Sequence, residues 1–204
     1  MNKQFTRYGI LFVISAPSGA GKTTLCDALR QTPDFIYSVS CTTRPPRAGE
    51  IEGEDYQFLS ESDFLARVQA GDFLEHAKVH EHYYYGTLRK PLVQHLKNGI
   101  DVLIDIDTQG AAAIRGCGDE FIRQSLTDVF IMPPNLDELR KRLTKRGTEN
   151  GKQIELRLAN AAREMELWRD YRYTIISQSV EEDLQKFRHI MGAERYLSRR
   201  LIQK

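Results

Sequence analysis

Residues 10–29 read ILFVISAPSGAGKTTLCDAL, and the rest of the chain is interpreted from this stretch. The apolar run of residues 10–14 is rich in β-formers and is bounded by small residues, which favours a buried parallel strand. Leu25, Ala28 and Leu29 then recur at the spacing of one helix face. The stretch therefore predicts a strand, a glycine-rich loop and a helix in succession.

The predicted loop is suited to a polyphosphate. Where a helix begins, free backbone N–H groups and the positive end of the helix dipole converge on one spot. The residues nearly match G-x-x-x-x-G-K-[ST], in which Lys22 reaches the β- and γ-phosphates and Thr23 places its hydroxyl on magnesium. Ala16 occupies the first glycine position, where a methyl group restricts the turn without removing donors. We expect a nucleoside triphosphate site, the alternative being an ordinary glycine-rich turn.

Length and composition indicate a soluble globular protein of one domain, or of one domain with inserted lobes. The chain has 204 residues, of which 41% are apolar and 28% charged. Its 29 basic and 28 acidic side chains leave a net charge of +1, so no overall field favours nucleic acid or a membrane. Three widely spaced cysteines fit a reducing cytoplasm. The polar residues 1–8 predict no targeting segment.

Strand and helix patterns alternate along the rest of the chain. Strands are expected at residues 36–43, 56–59, 73–75, 83–85, 102–107, 129–132 and 173–176. Helices are expected at residues 60–71, 88–97, 108–114, 154–168 and 181–200 and from residue 135 onward, with a polar break at 147–151. This order predicts an α/β fold with a parallel sheet flanked by helices. We expect a core of residues 1–37, 88–134 and 172–204, a mainly-β lobe of residues 38–87 and a helical lid of residues 135–171.

An arginine-rich turn follows the second expected strand. Residues 40–50 read SCTTRPPRAGE and place Arg44 and Arg47 in a proline-stiffened loop, shortly before Tyr56. Paired guanidinium groups match the oxygens of a phosphate, and a tyrosine hydroxyl can add a third contact. Taken alone, the pattern is equally typical of a solvated loop.

Eight segments resemble the guanylate kinases of nucleotide metabolism, in sequence and in order. They are SAPSGAGKTT, SVSCTTRPPRAGE, GEDYQF, FLEHA, YYGT, DIDTQGA, PPNLDELRKRL and KRGTE, and they run from about residue 10 to about residue 170. The resemblance implies a P-loop NTPase-type sheet with an inserted GMP-binding lobe. It also implies magnesium-dependent transfer of the γ-phosphoryl group of ATP to GMP, giving ADP and GDP.

The resemblance also implies roles for individual residues. ATP would be bound by Ser18, Gly19, Ala20, Gly21, Lys22, Thr23 and Thr24. The GMP phosphate would be held by Arg44, Arg47, Tyr56 and Tyr85, and the guanine by Ser40, Glu75, Thr87 and Asp107. Magnesium would be placed by Thr23 and, through water, by Asp105. Catalysis would depend on Lys22 and on the lid arginines Arg142, Arg146 and Arg157.

The chemistry of these residue types agrees with those roles. A carboxylate at Glu75 can accept from the ring N–H and the exocyclic amine of guanine, a donor pair that adenine lacks. Asp105 ends an apolar strand, where a carboxylate would lie beside the phosphate loop, although aspartates there are also common helix caps. Phosphoryl transfer depends on positioning and charge stabilisation, which lid arginines supply. Asp107 could serve the base or the metal.

Two clusters have a plainer interpretation. Arg140 and Lys141 are expected on a solvated helix face with Glu138 and Glu155 as partners. The histidines at 76, 80 and 82 have a spacing that could bind a transition metal, but they are expected on a loop and strand surface.

The chain departs from the family pattern at three places. Besides Ala16, the segment 76–85 is one residue longer than usual, which leaves Tyr84 and Tyr85 as alternatives for the phosphate contact. Residues 177–179 read SQS in place of an asparagine-aspartate pair that lies near the adenine.

Other functions fit fewer of the residues. A guanylate-kinase-like module that recognises phosphorylated peptides would have a degenerate phosphate loop, yet Lys22, Thr23 and Asp105 are all present. A kinase for a ribosyl bisphosphate would not need Glu75 and Thr87. A GTPase would carry an N-K-x-D motif, which is absent from the sequence.

Overall fold

The protein has an α/β fold. The computed structural model describes residues 5–31, 34–79, 82–146 and 151–203. Its strands are β1 (Phe5–Arg7), β2 (Leu11–Ser15), β3 (Ile36–Tyr37), β4 (Ser40–Thr42), β5 (Tyr56–Phe58), β6 (Phe73–Val79), β7 (Tyr83–Leu88), β8 (Val102–Asp105), β9 (Leu126–Met132), β10 (Tyr173–Ile176) and β11 (Leu201–Gln203). Its α-helices are α1 (Lys22–Arg30), α2 (Glu61–Ala70), α3 (Arg89–Lys97), α4 (Thr108–Arg115), α5 (Glu120–Ser125), α6 (Leu136–Arg146), α7 (Gly151–Met165) and α8 (Val180–Arg195).

A five-stranded parallel sheet forms the centre of the described chain. The strand order is β10-β9-β2-β8-β3, and all neighbours run parallel. β2 lies in the middle, and β8 pairs with it in a register that places Ile14 opposite Asp105. The expected parallel sheet flanked by helices is therefore confirmed, and the phosphate loop leaves its central strand.

Helices cover both faces of this sheet. Leu11 and Val13 pack with side chains of α3 and α4 on one face. Phe12 and Ile14 pack with side chains of α1 and α8 on the other. Alternate side chains of a strand point to opposite faces, so a strand between two helix layers must be apolar at every position. This explains the unbroken apolar run of residues 10–14.

A second, mixed sheet has the strand order β5-β4-β7-β6. α2 covers it through Phe64, whose ring stacks on Phe73 at 4.5 Å between centroids. α2 has the termini that the sequence predicts. The Ser60 side chain accepts a hydrogen bond from the Asp63 N–H (3.0 Å), and Gly71 ends the helix with φ of 72°.

The strand expected at residues 36–43 is in fact two strands that belong to different sheets. β3 pairs with β8 in the parallel sheet, whereas β4 pairs with β5 and β7 in the second sheet. The chain passes from one sheet to the other between Tyr37 and Ser40. A local apolar pattern cannot show this, because the partner strands are distant in sequence.

Several helix ends also differ from the prediction. α8 ends at Arg195 rather than at residue 200, and a 3-10 helix, Ser198–Arg200, follows it. α7 begins at Gly151 and continues as a 3-10 helix, Glu166–Asp170. The polar break predicted at 147–151 falls, apart from its last residue, outside the described residues.

One strand pairing and one short helix were not expected from the sequence. β1 pairs antiparallel with β11, which joins the two ends of the described chain. α5 has only six residues and is capped by the Asp119 side chain. Neither such a long-range pairing nor so short a helix leaves a periodic pattern in the sequence.

α6 and α7 form a helical pair, packed through Leu139, Leu143, Leu158 and Ala161. Cys26, Cys41 and Cys117 are free thiols. Within the described ranges, no helix combines the length and the apolar character needed to cross a bilayer.

Candidate active site

The loop between β2 and α1 has the geometry of a phosphate-binding loop. Gly19 and Gly21 have φ of 89° and 103°, which residues with a side chain rarely adopt. α1 begins at Lys22, so the unpaired N–H groups of its first turn lie at the end of the loop. Ala16, at the position of the missing glycine, packs against the core cluster of α1 and α8. The loop is thus built to receive an anion.

α6 lies directly on this loop. A Cβ atom at Gly19 would lie 2.8 Å from Cδ2 of Leu143 and 3.0 Å from Cδ1 of Leu139. Nη1 of Arg142 donates a hydrogen bond to the carbonyl oxygen of Ala20 (3.1 Å). Position 19 therefore needs a glycine for its contacts as well as for its backbone, and α6 brings a guanidinium group to the loop.

Lys22 reaches the end of the neighbouring strand β8. Its Nζ lies 3.4 Å from Oδ2 of Asp105 and donates to the carbonyl of Ile106 (3.3 Å). Oδ1 of Asp105 accepts a hydrogen bond from the hydroxyl of Tyr37 on β3. Burial and the nearby Asp105 carboxylate raise the pKa of Tyr37 well above its usual range, so this hydroxyl stays protonated. Asp105 is held between a cation and a hydroxyl donor.

Thr23 and Asp105 offer oxygen ligands of the kind that magnesium prefers. Both residues line the same cavity, beside the phosphate loop. Each oxygen of Asp105 already faces a donor, which fits contact with the ion through water better than direct ligation. The donor chemistry of these residues therefore suits the expected ion.

A cavity of about 390 Å³, the first cavity, contains most of the predicted acceptor residues. Lys22, Thr23, Asp105 and Asp107 line it from the parallel sheet and its loops. The residues that line it from the second sheet and its loops include Ser40, Arg44, Arg47, Tyr56, Glu75 and Tyr85. Thr87 is buried beside Glu75. The structure thus brings together residues from both sheets.

Arg44 is a buried cation with an unused donor. It is 7% exposed, and its Nη2 donates to Oε1 of Glu50 (2.7 Å) while Nη1 donates to the carbonyl of Pro45 (2.8 Å). Its Nε is buried and has no hydrogen-bond partner among the described residues. The hydrogen bond to Glu50 raises the pKa of Arg44 and lowers the pKa of Glu50. A buried guanidinium group with a free donor is suited to an anion.

Tyr56, Tyr85 and Arg47 lie near Arg44. The two tyrosine rings meet edge to face at 5.9 Å, and the guanidinium carbon of Arg44 lies 5.4 Å from the centre of the Tyr56 ring. Burial raises the pKa of Tyr56 to about 12. The Arg47 side chain is exposed, while its backbone N–H donates to Oε2 of Glu50 (2.7 Å). Glu50 therefore shapes the loop that carries both arginines.

The geometry distinguishes Tyr85 from Tyr84. Tyr85 lines the first cavity. Tyr84 stacks on Phe64 at 5.4 Å between centroids, in the small core beneath α2. Of these two tyrosines, the structure favours Tyr85 as the one that a ligand in the cavity would contact.

Glu75, on β6, is a buried carboxyl group in the cavity wall. It is 6% exposed, and its Oε1 accepts a hydrogen bond from Oγ1 of Thr87 (2.7 Å). The pKa of Glu75 is raised from 4.5 to about 7, mainly by burial; the hydrogen bond from Thr87 opposes this shift and the nearby Asp107 carboxylate adds to it. A Cβ atom at Gly110 would lie 2.8 Å from Oε2 of Glu75, so this carboxyl group sits tightly against α4. A buried carboxylate is costly unless it meets donors, which a ligand could provide.

Asp107 has a structural task as well as a place in the cavity. Its Oδ1 accepts a hydrogen bond from the Gly110 N–H (2.8 Å) and caps α4. β8 accordingly ends at Asp105, two residues earlier than the sequence predicts. An aspartate at the end of a strand is often a helix cap, as noted above from the sequence, and Asp107 is such a cap.

A second cavity, of about 620 Å³, lies between the phosphate loop, α6 and the start of α8. Ser177, Gln178 and Gly21 are among its lining residues. Ser177 is buried and accepts a hydrogen bond from Nη1 of Arg142 (3.2 Å). Ser179 caps α8 by accepting from the Glu182 N–H (3.2 Å). The segment that departs from the family pattern thus supports α6 and α8.

The expected lid arginines lie on the α6–α7 pair. Arg142 contacts the phosphate loop, and Arg157 is a half-buried residue of α7. Arg146 is the last residue of α6, and its side chain lies outside the part that the structure describes. Arg140 pairs with Glu155 on the surface, as expected for a solvated face.

The histidine cluster is described only in part. His76 and His82 are exposed, and residues 80–81 lie outside the described ranges. Among the residues that the structure covers, no group of three or more His, Cys, Asp or Glu side chains could hold a metal ion.

Comparison with known proteins gives the family. The sequence model described as guanylate kinase matches residues 8–194. The chain belongs to the guanylate kinase family. It is 46% identical over 187 residues to a guanylate kinase of Protochlamydia amoebophila, covering 91% of each chain. It is 42% identical over 190 residues to one of Caldanaerobacter subterraneus, covering 93% of this chain and 89% of the relative.

A solved structure agrees with the guanylate kinase family. The crystal structure of guanylate kinase from Anaplasma phagocytophilum is 32% identical and has a TM-score of 0.78. The match covers 98% of this chain and 93% of that one. The fold expected from the resemblance is therefore confirmed.

The guanylate kinase motifs did not reveal several residues that line the first cavity. Arg30, Tyr37, Glu50 and Asp55 all lie there. Glu50 stands within the arginine segment and could have been noticed as the nearest acid. Tyr37 and Arg30 lie outside every motif, and their place follows only from the register of β3 on β8 and from the length of α1.

Proposed function

We propose that this chain transfers the γ-phosphoryl group of ATP to GMP, giving ADP and GDP. One observation carries the proposal: the buried Glu75 and the arginine pair Arg44 and Arg47 line one cavity with Lys22 of the phosphate loop. An acceptor with a base at Glu75 and a phosphate at the arginines would present that phosphate to Lys22. The family membership supports the same reaction.

Glu75 is the proposed reader of the guanine base. Its carboxylate would accept hydrogen bonds from the ring N–H and the exocyclic amine, while Thr87 keeps Oε1 in place. Ser40 and Asp107 line the same cavity and would complete the contacts to the base. Adenine presents no such donor pair, so its binding would leave a buried carboxylate unpaired.

Arg44, Arg47, Tyr56 and Tyr85 are the proposed clamp for the GMP phosphate. The unused Nε of buried Arg44 supports this role, because an anion would satisfy it. Glu50 balances part of the arginine charge and orients the loop. The clamp would hold the acceptor oxygen in line with the donor.

The phosphate loop, residues 18–24, is the proposed donor site. Its backbone N–H groups would hold the β- and γ-phosphates, with Lys22 and Arg142 adding positive charge where the transferring group passes. Arg146 and Arg157 are the other proposed lid arginines. The donor nucleoside would occupy the second cavity, beside Ser177 and Gln178.

Magnesium is the proposed cofactor, with Thr23 and, through water, Asp105 holding it. When bound, the ion neutralises phosphate charge and orients the β- and γ-oxygens. Asp105 also fixes Lys22 through the 3.4 Å contact between their charged atoms.

Residues 38–87 are proposed as the acceptor lobe and residues 135–171 as the lid, on a core of residues 1–37, 88–134 and 172–204. Closure of both over the substrates would exclude water, which would otherwise take the phosphoryl group. We also propose that the site binds only small-molecule nucleotides. The protein is proposed to be cytoplasmic.

The direct test follows the products. Purified protein with ATP, magnesium and GMP is expected to form GDP and ADP in equal amounts, measured by ion-exchange chromatography. Lys22→Ala is the control and is expected to lose about 10²- to 10³-fold in turnover while it still binds GMP in calorimetry. ADP formation without GDP would contradict the proposal.

A further inference from the structure

Five residues form a chain of contacts along the wall of the first cavity. In order they are Asp55, Arg30, Tyr37, Asp105 and Lys22, and all of them line that cavity. Asp55 lies at the second sheet, and Lys22 lies at the phosphate loop. The two ends of this contact chain therefore belong to the two halves of the site.

Tyr37 and Asp105 meet because of the register of the parallel sheet. Tyr37 is paired with Leu103 on β8, two residues before Asp105. Its hydroxyl donates to Oδ1 of Asp105, and Oδ2 of the same carboxylate faces Nζ of Lys22 at 3.4 Å. A carboxylate held by one oxygen cannot rotate without breaking that hydrogen bond. Tyr37 therefore fixes the orientation in which the carboxylate faces the lysine.

Arg30 connects this pair to the second sheet. It is the last residue of α1, the helix that Lys22 begins. Its guanidinium carbon lies 3.9 Å from the centre of the Tyr37 ring, within the range of a cation–π contact. Its Nη1 lies 3.6 Å from Oδ1 of Asp55, whose Oδ2 accepts from the Ile51 N–H (2.8 Å). Asp55 is thus fixed in the loop that precedes β5.

We propose that Tyr37 is a positioning residue for phosphoryl transfer, which holds Asp105 towards Lys22, and that Arg30 ties this arrangement to the acceptor lobe through Asp55. The inference rests on the proposed function, because it concerns the same site. No group passes along the contact chain. Its effect is to keep the carboxylate and the ammonium group in place before the substrates arrive.

A merely structural role for Tyr37 makes different predictions. Its ring would then fill space at the end of β3, and phenylalanine would replace it without loss. A positioning role depends on the hydroxyl, which Tyr37→Phe removes while the ring under Arg30 stays. The loss should then fall on kcat and leave substrate binding alone.

The decisive experiment is the kinetics of Tyr37→Phe. We expect kcat to fall about tenfold, as for loss of a hydrogen bond to a charged group, with both KM values within about twofold of wild type. The Kd for GMP, measured by calorimetry without ATP or magnesium, should also stay within about twofold. A kcat within about twofold of wild type would overturn the proposal, as would a matching loss of GMP affinity.

A double variant identifies the residue through which Tyr37 acts. If it acts through Asp105, Tyr37→Phe should lower kcat further by less than about twofold in an Asp105→Asn background. Losses that multiply would overturn the assignment to Asp105. Thermal unfolding of each variant shows whether it is folded.

Arg188→Met is the matched control for Arg30→Met. Arg188 also pairs with an aspartate, Asp34 (2.6 Å), and lies 6.0 Å from the ring of Phe35, but it is not among the residues that line the first cavity. Arg30→Met should weaken GMP binding about two- to fivefold, and Arg188→Met should leave it unchanged. Equal effects of the two variants on GMP affinity would show that Arg30 does not connect Tyr37 to the acceptor lobe.

The wild-type rate with GMP tests the proposed function separately. The variants are compared with wild type on whichever acceptor wild type phosphorylates most rapidly. A wild type that prefers another acceptor would contradict the proposed function, and the effect of Tyr37→Phe on kcat would still decide the role of Tyr37.

Discussion

The substitution Glu75→Gln tests two expected effects of the buried carboxylate: it destabilises the folded protein, and it binds the guanine of GMP. Burial raises the pKa of Glu75 from 4.5 to about 7. Between these pH values the unfolded chain has lost the proton that the folded protein retains, so stability falls as pH rises through this window. The difference corresponds to about 3 kcal/mol above pH 7, with the carboxylate 6% exposed. Glutamine is neutral and avoids that cost.

We therefore expect Glu75→Gln to raise the free energy of unfolding at pH 8 by up to about 3 kcal/mol, and by less than about 1 kcal/mol at pH 5. The same change should lower kcat/KM for GMP about 10- to 100-fold, because hydrogen bonds to a charged group contribute about 1.5–3 kcal/mol. The KM for ATP should stay within about twofold.

Urea unfolding at both pH values and steady-state kinetics measure these quantities on one preparation. Glu54→Gln is the control, because Glu54 is an exposed glutamate of the same region. It should change neither stability nor GMP kinetics. If Glu75→Gln lowered stability at pH 8, burial of the carboxylate would not be destabilising, and if the variant still used GMP normally, Glu75 would not bind the base.

Two further substitutions test the donor and acceptor halves. Gly19→Ala should lower the free energy of unfolding by about 1–3 kcal/mol and raise the KM for ATP, because the new methyl group would lie 2.8 Å from Leu143. Gly53→Ala is the control for backbone strain, since Gly53 also has a positive φ, of 79°, but no atom within 4 Å of the added Cβ. Urea unfolding measures both variants. Equal stability losses would show that the contact with α6 is unimportant. Arg47→Ala should raise the KM for GMP about tenfold or more and the KM for ATP less than about twofold, as measured by initial rates. The reverse pattern would move the acceptor site elsewhere.

Much of the fold was accessible from the sequence because local patterns determine it. The apolar run of residues 10–14 and the loop after it predicted the central strand and α1. Ser60, Asp63 and Gly71 predicted both ends of α2. Each of these signals lies within one strand or one helix end, where the side chains determine the conformation of the neighbouring backbone.

The remaining features depend on contacts between distant segments. Residues 36–43 look like one strand because their apolar pattern does not record that β3 and β4 pair in different sheets. The β1–β11 pairing joins opposite ends of the described chain. Helix α8 ends at Arg195, whose guanidinium group donates to Asp101 and Asp34, and no local stop signal marks that position.

The candidate site divides in the same way. Arg44, Glu75 and Lys22 stand in segments whose residue types already suggest phosphate and base contacts. Tyr37 and Arg30 have no such signal, because their role depends on the register of an edge strand and on the length of α1. The motifs therefore pointed to the residues that are expected to touch substrate, but not to Tyr37 and Arg30, which are proposed to position them.

Glu75 and its neighbours are proposed to make this chain specific for GMP. A competition assay, with radiolabelled GMP and radiolabelled AMP at equal concentration in one reaction with unlabelled ATP and magnesium, measures the ratio of kcat/KM from the label that appears in GDP and in ADP. We expect labelled GDP to form at least about 10⁴ times faster than labelled ADP, because adenine would leave the buried carboxylate unpaired. Comparable rates for the two acceptors would contradict it.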